Sequence, residues 1–239
     1  MKTLIIGGAR SGKSALAARL AQERRAQAVC CILTAIASDA EMTARIAVHR
    51  RARPSQWSVR EEPVHLATAL REAAPSGRLL LIDCLTLWTA NCLWPRHSTR
   101  AKSSSARKAS DTRAYKMVDF AETPGESADI PPDLEFWQRA RTDFADALRQ
   151  SRSDVILVIN EIGSGIVPLT AAARIFRDEH GRLAQEIAAI CSEVLLVVAG
   201  IALPLKSKTQ TDGARHSSRR DRRAAPSRSP PRQRPGSHR

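Results

Sequence analysis

The sequence predicts an α/β protein built on a mostly parallel sheet with helices on both faces. Short apolar runs, continuous rather than alternating, recur at residues 4–6, 29–33, 79–82, 155–159 and 194–198. Such runs are typical of strands that are buried on both faces. Helical stretches separate them, and this regular alternation indicates an open sheet that binds its ligands at the carboxyl ends of its strands.

Helices are predicted at residues 14–25, 39–51, 64–74, 134–150 and 169–190. The second of these opens on Ser38, Asp39, Ala40 and Glu41, which fit a capping box. That helix must end before Pro54, because proline disfavours a helical residue before it. The last helix is expected to break near Gly181.

Two segments show neither helical nor strand periodicity. Residues 95–132 are rich in Ser, Arg and Lys, and residues 207–239 consist mainly of Arg, Ser and Pro. We therefore predict one domain over residues 1–206, interrupted by a disordered insertion at 95–132 and followed by a disordered basic tail. The formal net charge is +14, and residues 206–239 hold 11 Lys and Arg against two acidic residues, so the tail carries most of the excess.

Charge and composition restrict the classes of function. A basic balance suggests nucleic acid, a membrane surface or anionic substrates. No apolar run approaches the roughly 18 residues of a membrane span, and few aromatic side chains lie among the basic ones, which argues against stacking on single-stranded nucleic acid. The five cysteines form no C-x-x-C pair, so we expect free thiols in a cytoplasmic protein rather than a metal or disulfide framework.

A phosphate-binding loop follows the first predicted strand and precedes the first helix. The motif G-x-x-x-x-G-K-[ST] is satisfied at every fixed position by Gly7, Gly8, Ala9, Arg10, Ser11, Gly12, Lys13 and Ser14. Glycines let the backbone approach phosphates closely, and the first amides of the helix point at the anion. Lys13 is expected at the β- and γ-phosphates and the Ser14 hydroxyl at Mg²⁺.

Two acids follow later strands. Asp83 closes the run 79–82 and should emerge near the phosphates, where it would hold Mg²⁺ together with Ser14. Glu161 follows the run 155–159 in the same way, within a glycine-containing turn. It could serve as a metal ligand or as a base, and the sequence leaves open which of the two acids, Asp83 or Glu161, would act as a base in phosphate chemistry.

His49 lies among arginines near the end of the second predicted helix, on the face that also carries Met42 and Ile46. Two interpretations stay open from spacing alone. It is a partly buried histidine on a solvated basic helix, or it is a nucleophile kept neutral by its cationic neighbours and aimed at a polyphosphate. The other histidines show no pattern that points to a function.

These motifs together resemble a known family, the bifunctional adenosylcobinamide kinase / adenosylcobinamide-phosphate guanylyltransferases of cobalamin biosynthesis. The resemblance spans roughly residues 1–94 and 133–206. It rests on G-G-A-R-S-G-K-S at residues 7–14, A-R-I leading to His49, R-P at 53–54, Trp57, D-C-L-T at 83–86, Asn91, N-E-I-G-S-G-I-V-P at 160–168, R-I-F-R-D at 174–178 and G-R-L-A-Q at 181–185. The family pattern at the last of these is G-R-x-N-Q, so Ala184 stands where an asparagine is usual.

The resemblance implies a RecA-like fold, a homotrimer, and ATP, GTP and adenosylcobinamide as substrates. It implies that His49 is the nucleophile that takes GMP from GTP. It also implies nucleotide contacts beyond the loop of residues 7–14, from Thr34, Ala35, Ile36, His49, Arg50, Arg51, Ala52, Glu61 and Asp83.

Two reactions are expected from this family. The enzyme would phosphorylate the aminopropanol hydroxyl of adenosylcobinamide, and would then transfer GMP through a histidine phosphoramidate to give adenosylcobinamide-GDP. The alternatives are a small-molecule kinase without the transferase step, and a nucleic-acid-binding NTPase that uses its basic tail.

Overall fold

The computed structural model describes residues 1–25, 28–37, 39–51, 53–95 and 131–207. The predicted insertion and basic tail therefore lie almost entirely outside the described residues. The elements below belong to one compact unit, Met1–Lys206.

A seven-stranded sheet organises this unit. Its strands are β1 (Lys2–Gly7), β2 (Val29–Leu33), β3 (Ser58–Glu61), β4 (Leu79–Asp83), β5 (Val155–Asn160), β6 (Glu193–Val198) and β7 (Ile201–Lys206). Their order is β3-β2-β4-β5-β1-β6-β7, and all neighbours are parallel except β6 and β7. Strand β5 lies between β1 and β4. The predicted α/β class, a mostly parallel sheet with helices on both faces, is confirmed.

Helices connect the strands and cover the sheet. They are α1 (Lys13–Arg25), α2 (Ala40–Arg51), α3 (Leu66–Ala73), α4 (Leu85–Leu93), α5 (Leu134–Gln150) and α6 (Ala171–Ile190), with a short 3₁₀ turn at Ala74–Ser76. Long helices begin at side-chain caps: Asp133 accepts from the amide of Phe136, and Thr170 accepts from the amide of Ala173. These caps satisfy amides that the first turn of a helix leaves without partners.

The sheet separates two apolar cores. The larger core packs helices α3 to α6 against one face around Trp88, Trp137 and Phe144, all fully buried. The ring centroids of Trp88 lie 5.2 Å from Trp137 and 5.0 Å from Phe144. The smaller core packs α1 and Trp57 against the other face. Helices on both faces explain why the strand sequences are apolar without alternation.

The structure corrects three local expectations. Helix α6 runs unbroken through Gly181, because a single glycine weakens a helix by only about 1 kcal/mol and the neighbouring helices α4 and α5 pack against this one. Helix α2 is capped by Asp39, whose Oδ1 accepts from the amide of Met42 at 2.6 Å; the predicted capping residue Ser38 lies outside the described residues. Strands β3 and β7 and helix α4 were absent from the expected elements.

Candidate active site

The phosphate loop lies between β1 and α1, at the carboxyl edge of the sheet. It is closed by backbone bonds: the amide of Ser11 donates to the oxygen of Gly8 at 3.2 Å, and the amide of Gly200 donates to the oxygen of Ser11 at 2.9 Å. The second bond ties the loop to the β6–β7 turn. The β6–β7 turn therefore supports the backbone of the phosphate loop.

Two glycines are required by this geometry. A Cβ on Gly7 would lie 2.5 Å from the Oγ of Ser11 and 2.6 Å from the backbone oxygen of Val197. Gly12 has a φ of 95°, and a Cβ there would lie 3.3 Å from the Cα of Gly200. Glycine is therefore needed at position 7 for close packing and at position 12 for a positive φ.

Lys13 and Ser11 supply polar groups inside the loop. The Nζ of Lys13 donates to the oxygen of Gly8 at 3.0 Å, and the residue is only 9% exposed. Burial lowers the pKa of Lys13, while the nearby Cys84 and Asp83 oppose that shift. Among the described residues, the buried Oγ of Ser11 has no hydrogen-bond partner. A cation and an unsatisfied hydroxyl facing one turn suit a phosphate group.

Asp83 lies at the end of β4 and pairs with Arg53. The Nη2 of Arg53 donates to the Oδ2 of Asp83 at 3.1 Å, and the two side chains are 9% and 16% exposed. Because Arg53 lies just beyond α2, this ion pair connects the segment after the histidine helix to the carboxyl end of β4.

The predicted contact Thr34 is fully buried at the end of β2. Its hydroxyl donates to the oxygen of Cys84 at 2.6 Å and accepts from the amide of Cys84 at 3.0 Å. This side chain therefore joins the carboxyl ends of β2 and β4. Ala35 and Ile36 are partly exposed and lie at the same edge.

Glu161 follows β5 and is held by its own turn and by β1. Its amide donates to the oxygen of Gly7 at 2.9 Å. Its Oε1 accepts from the amides of Gly163 and Ser164 at 2.6 and 3.0 Å, and from the hydroxyl of Ser164 at 3.2 Å. The acid therefore lies directly beside the phosphate loop, as its position after a central strand predicts.

The helix α2 carries His49 in its last turn. The His49 side chain and the whole of Ala52 lie outside what the structure describes. Arg51 is exposed, and the guanidinium of the exposed Arg50 donates to Glu61 at the end of β3. Two predicted nucleotide contacts from different elements are thus brought together.

Sequence patterns did not indicate how three polar groups at this edge pair with one another: Arg53 and Thr86 stand in the family motifs, and His180 showed no pattern. Thr86 and His180 form a buried hydrogen bond at 3.1 Å, and Arg53 acts as the partner of Asp83 rather than as one more cation on a basic helix. Each of these pairs joins residues far apart in the chain. A motif search finds neither of them.

The described residues contain no group of three or more His, Cys, Asp or Glu side chains that could hold a metal ion by themselves. Within the same residues, no helix combines the length and the apolar character needed to cross a membrane.

Comparison with known proteins agrees with the geometry. Residues 3–205 match the model of a family described as cobinamide kinase / cobinamide phosphate guanyltransferase. The chain is 41% identical over 208 residues to the bifunctional adenosylcobalamin biosynthesis protein CobP of Pseudomonas aeruginosa, covering 87% of this chain and 99% of that protein. It is 34% identical over 206 residues to the bifunctional adenosylcobalamin biosynthesis protein CobU of Escherichia coli, covering 86% of this chain and 100% of that protein.

Two solved structures that resemble the chain are distant from it in sequence. The flagellar accessory protein FlaH from Methanocaldococcus jannaschii aligns with a TM-score of 0.39 at 11% identity, covering 86% of this chain and 78% of that one. An ATPase from the type III secretion system of pathogenic bacteria aligns with a TM-score of 0.45 at 12% identity, covering 88% and 57%. The fold assignment therefore rests on the strand order.

Proposed function

Because the chain belongs to the cobinamide kinase / cobinamide phosphate guanyltransferase family, we propose that one nucleotide site at the carboxyl edge of the sheet serves both of its reactions. The protein is a bifunctional kinase and guanylyltransferase of cobalamin biosynthesis. The observation that carries the proposal is the phosphate loop with the buried Lys13, beside which lie two strand-end acids, Asp83 and Glu161.

In the kinase reaction, the aminopropanol hydroxyl of adenosylcobinamide attacks the γ-phosphorus of ATP or GTP. The bond from that phosphorus to the bridging oxygen breaks, and the nucleoside diphosphate leaves. Lys13 and the loop amides stabilise the charge that develops on the phosphate oxygens. Asp83 and Glu161 are the two candidates for taking the hydroxyl proton.

In the transferase reaction, the imidazole of His49 attacks the α-phosphorus of GTP. A phosphorus–nitrogen bond forms, the bond to the β-phosphate oxygen breaks, and pyrophosphate leaves. A phosphate oxygen of adenosylcobinamide phosphate then attacks the same phosphorus, the phosphorus–nitrogen bond breaks, and adenosylcobinamide-GDP is released. This is covalent catalysis with ping-pong order.

The nucleotide contacts proposed for both reactions come from five parts of the fold. They are the loop of residues 7–14, the end of β2 (Thr34, Ala35, Ile36), the end of α2 and the residue after it (His49, Arg50, Arg51, Ala52), the end of β3 (Glu61) and the end of β4 (Asp83). Thr34 is buried, so its backbone rather than its hydroxyl would have to make that contact.

The site also suits Mg²⁺. Ser14 in the first turn of α1 and Asp83 at the end of β4 offer a hydroxyl and a carboxylate, and oxygen ligands from one or two side chains plus substrate phosphates are what Mg²⁺ prefers. When bound, Mg²⁺ would neutralise charge on the phosphates. To ligate the ion with Oδ2, Asp83 would have to exchange its bond from Arg53.

The covalent step is tested with α-³²P-labelled GTP. We expect the wild-type protein to take up label in a bond that is labile to acid and stable to base, as a phosphoramidate is, and His49→Ala to take up none. His65→Ala removes an exposed histidine at the start of α3 and serves as the matched control. An adduct that survives His49→Ala would reject the proposed nucleophile, and kinase activity measured in the same samples shows whether the protein is folded.

We also propose that the protein is a cytoplasmic homotrimer. Its cysteines are all free, which suits a reducing compartment. The loop after β5 and the edge strand β7 expose large apolar side chains, and exposed apolar patches mark contact sites between proteins. These side chains are Ile166 (96% exposed), Leu169 (97%), Ile201 (66%) and Leu205 (54%). Light scattering of Leu169→Arg against wild type tests this, and an unchanged mass would place the subunit contact elsewhere.

A further inference from the structure

A buried histidine far from the phosphate loop in sequence is connected to it by hydrogen bonds. His180 lies in the middle of α6 and is 2% exposed. Its Nε2 is 3.1 Å from the Oγ1 of Thr86, in the first turn of α4. The same oxygen accepts a hydrogen bond from the amide of Asn160, the last residue of β5, at 2.8 Å. Three elements therefore meet at one hydroxyl group.

We propose that His180 is a positioning residue for phosphoryl transfer, which acts through the Thr86 hydroxyl to hold the strand ends that carry Asp83 and Glu161. The proposal rests on the kinase function given above.

The hydroxyl of Thr86 has one proton and two lone pairs. Because it accepts from the amide of Asn160, its own proton is available for the Nε2 of His180. That assignment needs a neutral imidazole that carries its proton on Nδ1. Burial lowers the pKa of His180 to about 4, opposed in part by the charge of Glu161, so the ring is neutral at physiological pH.

Aromatic neighbours fix the orientation of the imidazole ring. Phe176, one turn earlier on α6, has its ring centroid 5.7 Å from that of His180, and Trp94 at the end of α4 lies 6.3 Å from Phe176. A ring packed in this way has little rotational freedom, so its Nε2 stays directed at Thr86.

The hydrogen bonds of Thr86 join segments that lie next to the two candidate bases, Asp83 and Glu161. Thr86 follows Asp83 by three residues, and Asn160 immediately precedes Glu161, whose amide is bonded to the oxygen of Gly7 in the phosphate loop. A hydroxyl that rotates away from Asn160 would release the end of β5 from the start of α4. Both candidate bases would then shift relative to Lys13, and displacements of this kind reduce turnover more than binding.

The test measures kinase kcat and the KM for GTP in four single variants and one double variant. His180→Leu and Thr86→Val remove the hydrogen bond, and we expect each to lower kcat about tenfold with KM within about twofold. His180→Gln and Thr86→Ser keep an acceptor and a hydroxyl, and we expect them to remain within about threefold of wild type. The double variant His180→Leu/Thr86→Val should lose no more than about tenfold, because both substitutions break the same connection.

A purely structural role for His180 predicts a different result. Ile187→Ala, which opens a cavity in the buried face of the same helix, measures what destabilisation alone does to turnover. The proposal is overturned if kcat in His180→Leu equals that of wild type. It is also overturned if the loss of kcat in His180→Leu is no larger than Ile187→Ala shows for the same decrease in melting temperature. A third contrary result is a double variant in which the losses of the two single variants multiply. Should His180→Leu fail to fold, His180→Phe keeps a ring beside Phe176 and replaces it. Absence of kinase turnover in wild type would instead count against the kinase function itself.

Discussion

Arg53 and Asp83 form a largely buried ion pair across 3.1 Å. Arg53 belongs to the segment that follows α2, and Asp83 ends β4, so the pair fixes the helix of the proposed nucleophile against the edge that carries the phosphate loop. If Asp83 ligates Mg²⁺ when the nucleotide binds, this ion pair would have to rearrange.

Removal of one partner of this pair should cost stability. We expect Arg53→Met to lower the free energy of unfolding by about 3 kcal/mol, since a buried carboxylate loses its counter-charge. The double variant Arg53→Met/Asp83→Asn should recover part of the loss. Urea unfolding measures both, and a cost below about 0.5 kcal/mol for Arg53→Met would mean that the pair behaves like one on the surface.

Loss of the loop cation should affect both reactions. We expect Lys13→Met to reduce kinase turnover and formation of the labelled adduct by at least about 100-fold each, because one group stabilises phosphate charge in both. Lys2→Met removes a lysine at the opposite edge of the sheet, where Lys2 bonds the oxygen of Ser151, and should retain both activities. Normal adduct formation in Lys13→Met would show that the two reactions use separate nucleotide sites.

Two neighbouring glycines should respond differently to alanine. Gly7→Ala places a Cβ 2.6 Å from the backbone of Val197, and we expect it to lower stability by about 2 kcal/mol because that backbone cannot move aside cheaply. A Cβ on Gly8 meets nothing within 4 Å, so Gly8→Ala should stay within about 1 kcal/mol of wild type. Thermal melting of the two proteins compares them directly, and equal melting temperatures would contradict the packing argument.

His180 should make stability depend on pH. Its pKa is lowered from 6.5 to about 4 in the folded protein, so the unfolded chain binds more protons between these values. Stability contributed by the neutral ring is complete above pH 6.5 and declines as the pH falls towards 4, by about 3 kcal/mol at most. Urea unfolding of wild type and His180→Gln at these pH values gives the free energy of unfolding of each protein. The difference between the two free energies measures the contribution of His180. A difference that does not change with pH would contradict the burial of a neutral imidazole.

Four of the five thiols, those of Cys31, Cys84, Cys92 and Cys191, should be inert. Burial raises the pKa of Cys31 and Cys84 to about 11 and that of Cys191 to about 12, and it raises the pKa of Cys92 further. Because the thiolate is the reactive form, we expect no rapid reaction with a disulfide reagent at pH 7.5 in the folded protein. All five thiols should react in urea, and fast labelling of the native protein at any of these four would contradict the prediction.

The local sequence was sufficient to predict most strands of the sheet. The five predicted strands appear within two residues of their expected positions, and α5 spans residues 134–150 as predicted. These elements are long or strongly apolar, so short-range pattern identifies them. Strand β3 has only four residues, and β7 is an edge strand with Pro204 in it, so neither has the buried apolar run that marks a central strand.

The sequence by itself determined the phosphate loop, the fold class and the family. The residues of a glycine-rich loop between a strand and a helix are consecutive, so a local motif identifies them. The tertiary structure decided the pairs that hold the site together, Arg53 with Asp83 and His180 with Thr86. Thirty residues separate the first pair and 94 the second. Contacts of that range depend on how strands and helices are ordered in space, and no local pattern of residues contains that order.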